Sequence, residues 1–72
     1  MTKFFFVKHL VGNSKRNGTP YNIIELSDGL TSEIVPTTID KADTEPIEKG
    51  TEVTPVVSLG ENFRPVITDL NY

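Results

Sequence analysis

Two tight-turn signals, Asn17-Gly18 and Asp28-Gly29, divide the first half of this 72-residue chain into three short segments. Asn-Gly and Asp-Gly pairs are strong hairpin signals, because their residues adopt the positive φ angles that two-residue turns require. The flanking segments are rich in β-branched and aromatic residues, which fit the surface of a sheet. The first half of the chain is therefore predicted to form a three-stranded meander.

Five strands are predicted in all, at residues 3–11, 20–26, 30–35, 51–59 and 63–70. Loose alternation along the first strand places Phe6, Lys8 and Leu10 on one face and Phe5, Val7 and His9 on the other, and both faces are largely apolar. Gly12 is expected to permit a bulge or a sharp bend. Pro55 and Pro65 are expected to mark edge strands or irregular points, because proline cannot donate to a strand ladder.

A polar connection at about residues 36–50 joins the third and fourth predicted strands. It carries four acids, Asp40, Asp43, Glu45 and Glu48. At most one helical turn fits there, capped by Thr38 or Asp40.

Size and composition limit the classes of protein to which this chain can belong. Residues 1–72 make a single domain, and the chain has no cysteine, so it holds neither a disulfide framework nor a thiolate metal site. The strand count and order favour an all-β fold, a five-stranded OB-like barrel, with an SH3-like small barrel as the alternative.

The sequence contains no recognisable set of catalytic or metal-binding residues. His9 is the single histidine and has no partner at a recognisable spacing, and no serine lies in a Gly-x-Ser-x-Gly elbow. We therefore expect no enzyme activity, no metal and no cofactor. The apolar run at residues 4–7 is too short for a signal sequence or a membrane span, which favours a cytoplasmic protein.

Charge is distributed unevenly along the chain. The net charge is −3, but residues 1–16 carry four cations and no acid, whereas residues 17–72 carry all ten acids and three cations. The two parts therefore have charges of +4 and −7. A local positive region can attract an anionic ligand even when the whole molecule is negative.

Single-stranded nucleic acid is the ligand that best fits the basic and aromatic residues of this sequence. A protein binds a single strand with cations that contact the phosphates and with aromatic rings that stack on the bases. The basic turn Lys15-Arg16 runs into Tyr21 at the start of the second strand. The candidate phosphate contacts are Lys8, Lys15, Arg16 and Arg64, and the candidate stacking rings are Tyr21, Phe5 and Phe63.

The elements Gly12, Lys15-Arg16-Asn17-Gly18, Pro20-Tyr21, Leu26-Ser27-Asp28-Gly29 and Gly50-Thr51-Glu52-Val53 together resemble small OB-fold single-stranded-DNA-binding proteins. The layout is most similar to the helix-destabilising proteins of phages and plasmids. The resemblance implies a homodimer that coats single strands during DNA replication in a bacterial host cell, with Lys15 and Arg16 in the phosphate-contacting loop and Tyr21 as an aromatic contact. The acidic connection departs from that pattern.

The alternative function is a small β-barrel protein-interaction or structural module that does not bind nucleic acid. The apolar residues Val53, Val56, Val57 and Leu59 suit either a homodimer interface or the addition of a partner strand. Dimerisation also enlarges the core of so short a chain. A preference between DNA and RNA does not follow from the sequence.

Overall fold

The computed structural model describes residues 3–72. The strands are β1 Phe4–Asn13, β2 Pro20–Ser27, β3 Ser32–Pro36, β4 Glu52–Leu59 and β5 Pro65–Asn71; the helix α1 spans Lys41–Thr44, and a 3-10 turn spans Glu61–Phe63. The prediction of an all-β protein with five strands is confirmed.

The five strands form one antiparallel sheet in the order β3-β2-β1-β4-β5. β1 pairs with β2 over almost its whole length, from Phe5 opposite Ser27 to Asn13 opposite Pro20. Its pairing with β4 on the other side covers only Phe4 opposite Val53 and Phe5 opposite Glu52. The β4–β5 hairpin therefore continues beyond Phe4, the first residue of β1 that pairs with β4.

The two outer strands approach each other at one point. Thr37, which follows β3, forms a parallel bridge with Ile67 of β5. The Ile67 carbonyl accepts hydrogen bonds from the Thr37 hydroxyl at 2.7 Å and from the Thr38 N–H at 3.1 Å. The sheet is not closed into a barrel, since this bridge is isolated and no ladder joins β3 to β5 within residues 3–72.

The bulge in β1 lies at Val7 and not at Gly12. The pairing with β2 passes from Phe6 opposite Leu26 directly to Lys8 opposite Glu25, which leaves Val7 without a partner. The extra residue shifts the alternation, so Phe6 and His9 are both buried. The prediction that Phe6 and Lys8 share a face was therefore wrong, as was the expected bulge or bend at Gly12.

Both predicted turns of the meander are confirmed. Gly18 and Gly29 have φ angles of 71° and 95°, in the left-handed region that glycine adopts without steric cost. In the second turn, the Asp28 carboxylate accepts hydrogen bonds from the N–H groups of Leu30 and Thr31, both at 2.9 Å. These two bonds, Thr31 first, lower the pKa of Asp28 below its usual value.

Two strands, β3 and β5, begin two residues later than predicted. β3 starts at Ser32 because Leu30 and Thr31 belong to the Asp28 turn, and Leu30 is exposed to solvent. β5 starts at Pro65, since Phe63 is the last residue of the 3-10 turn. The hydrogen bond from the Arg64 N–H to the Glu61 carbonyl, at 3.2 Å, closes this turn.

The connection at 36–50 is ordered and covers part of the core. It contains the one helical turn that was predicted, with Asp40 at the N-cap position. Ile47 is buried, and Ile39 packs against the core. No helix in the described part of the chain is long and apolar enough to cross a membrane.

The core lies on the face of the sheet that α1 covers. Phe6, Ile24, Leu26, Ile47, Val53, Ile67 and Leu70 form its buried cluster. The opposite face of β1, β2 and β3 has no covering element among residues 3–72, and we call it the open face.

Candidate nucleic-acid interface

The open face consists of side chains that the strand register places side by side. Directly opposite residues of paired strands lie on the same face of a sheet. The three rows across β1, β2 and β3 are Gly12 and Tyr21; Leu10, Ile23 and Pro36; and Lys8, Glu25 and Ile34. These eight residues begin beside the basic loop between β1 and β2.

Tyr21 lies over Gly12 at one end of this face. A Cβ atom on residue 12 would lie 2.7 Å from Tyr21 Oη, closer than such atoms approach in real proteins, and 3.0 Å from Tyr21 Cζ, which is also a tight contact. Only glycine therefore leaves room for the hydroxyl end of the ring against the sheet. Tyr21 remains 41% exposed, so the ring is supported from below and open to solvent above.

The apolar residues beside Tyr21 extend this surface. Leu10 and Ile34 are exposed, at 38% and 55%, and Ile23 between them is half-buried. Isolated exposed apolar side chains are normal, but a contiguous group is typical of a binding surface. Sequence reasoning identified Tyr21 but missed Leu10, Ile23 and Ile34, whose common face depends on the Val7 bulge and on the strand order.

The basic loop at residues 14–19 brings Lys15 and Arg16 to the same end of the sheet as Tyr21. The loop is closed by hydrogen bonds from the Ser14 N–H to the Thr19 carbonyl and from the Gly18 N–H to the Ser14 carbonyl, both at 2.8 Å. Lys15 and Arg16 are exposed, and neither forms an ion pair with any residue in 3–72. Their charges are available to an anionic ligand.

Lys8 lies on the open face, where it is partly neutralised. Its Nζ is 3.7 Å from Glu25 Oε1 on the neighbouring strand. Glu25 is the single acid of the open face as defined by its eight residues, and the pair occupies the row farthest from Tyr21. Lys8 is therefore less available to a ligand than Lys15 or Arg16.

Phe63 and Arg64 lie apart from the other candidates, in the turn between β4 and β5. Phe63 is 83% exposed, and both Asn62 and Phe63 have positive φ angles, of 57° and 60°. A positive φ is unusual for a bulky residue and often accompanies a functional site. No hydrogen bond or ion pair within residues 3–72 joins this turn to Tyr21 or to the basic loop.

His9 faces the core and not the interface. Its Nδ1 lies 2.7 Å from Thr44 Oγ1 of α1, and its Nε2 donates to Asn22 Oδ1 on β2. The Asn22 amide is oriented by its own donation to the Ile39 carbonyl, at 2.9 Å. His9 therefore fastens the connection to the sheet, with partners that sequence spacing did not reveal.

Titratable groups do not form a metal site among the residues that the structure describes. Asp40, Asp43 and Asp69 line a cavity of about 430 Å³ beside α1. The candidate nucleic-acid interface is an aromatic and apolar surface of the sheet, and the cations Lys15 and Arg16, unpaired within residues 3–72, lie at one end of it.

Comparisons with protein-family models, with curated proteins and with solved structures gave no match to this chain.

Proposed function

We propose that this protein binds single-stranded DNA with little sequence preference, across the open face and through the loops between β1 and β2 and between β4 and β5. The observation that carries the proposal is the Tyr21 ring held over Gly12 beside the unpaired Lys15 and Arg16. A supported ring and neighbouring cations are the two components that single-strand binding requires.

The strand arrangement supports an OB-like, partly open barrel as the scaffold. In OB folds the surface of strands 2 and 3, with the loops between strands 1 and 2 and between strands 4 and 5, binds oligonucleotides. Here the equivalent loops contain Lys15 and Arg16, and Phe63 and Arg64. The bridge between Thr37 and Ile67 brings β3 towards β5, as a partly open barrel requires.

The chemistry of the open face favours unpaired bases. A tyrosine ring stacks on a base only when that base has left its own stack, and each such contact contributes about 1–3 kcal/mol. The face carries no asparagine, glutamine or arginine, and its two charged side chains, Lys8 and Glu25, are paired with each other, so few groups are free to recognise base edges. Stacking without edge recognition leads to binding with little sequence preference.

Such a protein would act in the replication of a phage, a plasmid or another mobile element, where single strands must be covered. This setting follows from the resemblance described above and from the binding mode. Neither cofactor nor metal is needed for it.

The test is fluorescence anisotropy of a labelled oligo-thymidine titrated with the full chain at low and high salt, with duplex DNA and an oligo-uridine of the same length for comparison. We expect saturable binding to the single strand and much weaker binding to the duplex. If about three phosphates are neutralised, log K should fall against log salt with a slope of about −2. Absence of binding at low salt would overturn the proposal and favour a protein-interaction module.

A charge-matched pair of variants locates the site. Lys15→Glu with Arg16→Glu should abolish binding, because it reverses both unpaired charges beside Tyr21. Lys41→Glu with Lys49→Glu makes the same change in net charge in the connection, at exposed residues that form no ion pair within 3–72. Equal weakening by the two double variants would show that only net charge matters and that the basic loop is not the site.

A further inference from the structure

Asn17 is the one asparagine of this chain that is followed by glycine. The backbone nitrogen of the next residue is a potential nucleophile towards an asparagine side-chain amide, and glycine places no Cβ atom in its way. The other four asparagines precede serine, isoleucine, phenylalanine and tyrosine, whose side chains hinder the same attack. Asn17-Gly18 is therefore the position where this intramolecular reaction meets the least steric resistance.

The Asn17 side chain is already turned towards the peptide group that would react with it. Its Oδ1 accepts a hydrogen bond from the Thr19 N–H at 3.1 Å, so the side chain folds back over the Gly18 peptide. Donation to the amide oxygen also withdraws electron density from Cγ, which makes that carbon a better electrophile. Asn17 and Gly18 are both exposed, so water and base reach them.

One hydrogen bond restrains the attacking nitrogen. The Gly18 N–H donates to the Ser14 carbonyl at 2.8 Å, and this bond must open before the nitrogen reacts. Residues 15–19 are exposed, and no atom beyond the chain neighbours lies within 4 Å of the place that a Cβ on Gly18 would occupy. Exposed loop backbone with few contacts opens at a low free-energy cost. The opening therefore limits the rate of the reaction but does not prevent it.

The second turn, Asp28-Gly29, does not share this reactivity although it is similar in sequence. The N–H groups of Leu30 and Thr31 both donate to Asp28 Oδ1 at 2.9 Å, which favours the ionised carboxylate. An ionised carboxylate is a poor electrophile and has no ammonia to release. The reaction is therefore specific to Asn17 among the two glycine turns of the meander.

We propose that Asn17 is a deamidation site and that its deamidation weakens the binding of single strands by the basic loop. The Gly18 nitrogen attacks Asn17 Cγ, ammonia leaves with the proton that the nitrogen loses, and a five-membered succinimide forms. Water then adds to one of the two ring carbonyl carbons and opens the ring, which leaves aspartate or isoaspartate at position 17. One water is consumed, one ammonia is released, and a neutral amide becomes a carboxylate.

The effect of this reaction on binding rests on the proposed function. Lys15 and Arg16 are the charged residues of the loop at 14–19, so one new carboxylate halves the net positive charge beside Tyr21. Isoaspartate also carries the main chain through its Cβ atom, which lengthens the backbone directly before Gly18 and disturbs the turn that its φ angle of 71° supports. Protein that has aged should therefore hold single strands less tightly than newly made protein.

Mass spectrometry of the full chain, incubated in mildly alkaline buffer without nucleic acid, tests the reaction itself. The peptide that contains Asn17 should gain about one dalton with time, and fragmentation should place the change at Asn17 and not at Asn22. Asn17→Gln is the matched control, since it keeps the amide but would have to close a six-membered ring, which forms much more slowly. Equal gains at Asn17 and Asn22, or no gain at Asn17, would overturn the assignment of the site.

Anisotropy with oligo-thymidine tests the effect on binding. Asn17→Asp has the charge of the product from the start and should weaken binding by roughly threefold at moderate salt, through its repulsion of phosphates. Asn71→Asp makes the same change in net charge at an exposed residue of β5, a strand that pairs with neither β1 nor β2, and should bind as the parent does. Incubated wild-type protein should approach the affinity of Asn17→Asp, whereas incubated Asn17→Gln should keep its own.

The two measurements separate this proposal from the proposed function. Equal affinities of Asn17→Asp and a parent that binds would overturn the effect of deamidation while leaving the proposed function intact. A parent that does not bind oligo-thymidine would overturn the proposed function and this effect together. The gain in mass at Asn17 is measured without nucleic acid, so it decides the modification in either case.

Discussion

Gly12 of β1 and Tyr21 of β2 are directly opposite each other, and the hydroxyl end of the Tyr21 ring fills the space that a side chain on residue 12 would occupy. An aromatic side chain that covers a cross-strand glycine stabilises a sheet that the glycine alone would weaken. The same contact holds the ring against the sheet surface, where one side of it stays open to solvent. Strand stability and ligand binding are therefore joined in one pair of residues.

Gly12→Val separates these two roles. Valine favours a strand more than glycine does, and the atom in its way is the flexible end of the Tyr21 side chain, so the free energy of unfolding should change by less than about 1 kcal/mol. The displaced ring should lose its stacking position, and binding to oligo-thymidine should weaken by about 1–3 kcal/mol. Urea unfolding and anisotropy measure the two effects.

Tyr21→Ala provides the comparison for that variant. It should weaken binding to a similar extent while also uncovering Gly12. Unchanged affinity in Gly12→Val would mean that the ring position is irrelevant to binding.

Glu25→Gln should strengthen single-strand binding. The substitution removes the single acid of the open face and releases Lys8, whose Nζ is 3.7 Å from Glu25 Oε1. Because the Lys8–Glu25 pair is partly exposed, the free energy of unfolding should change by less than about 1 kcal/mol. One more phosphate contact should steepen the salt slope by about 0.7.

Glu33→Gln is the control for that change, because Glu33 is exposed on β3 opposite Leu26, on the other face of the sheet. It makes the same change in net charge. An equal gain in affinity for the single strand in both variants would exclude a specific effect of Lys8.

Thr44→Val should destabilise the protein by about 1–3 kcal/mol. The substitution keeps the shape of a buried side chain but removes the hydroxyl, whose oxygen lies 2.7 Å from His9 Nδ1 and 3.0 Å from the Lys41 carbonyl oxygen, and an unsatisfied buried polar group is costly. Thr44→Ser retains the hydroxyl and should lose less stability than Thr44→Val. Equilibrium unfolding in urea measures the difference, and a Val variant as stable as the parent would contradict the role given to this hydrogen bond.

Asp28 should contribute to acid sensitivity. Its pKa is lowered by hydrogen bonds from the Thr31 and Leu30 N–H groups, so its ionised form is favoured in the folded state. The stabilisation is complete above 3.8, the usual aspartate pKa, and is lost as the pH falls through the lowered value. Asp28→Asn keeps the acceptor oxygen without the titration, so its stability should decline less with acid in unfolding curves measured at several pH values. Parallel declines for the two proteins would show that other groups dominate.

Local chemistry explains what could be predicted from the sequence. Gly18 and Gly29 have the positive φ angles expected of their Asn-Gly and Asp-Gly turns, because those preferences belong to the residues themselves. The single helical turn after Asp40 follows from equally local effects. The irregularity expected at Pro55 is instead found one residue later, between Val56 and Val57, where the pairing skips Thr68 of β5. The basic character of the loop containing Lys15 and Arg16 likewise required no structure.

The tertiary structure alone decided which side chains share a surface. One extra residue at Val7 changes the faces of every later residue in β1 and brings Leu10 beside Ile23, and no rule of local preference places that residue. The partners of His9 are 13 and 35 positions away, and β4 pairs with β1 only at Glu52 and Val53. Turn geometry depends on a few adjacent torsion angles, whereas register, burial and the approach of distant strands depend on packing of the whole chain.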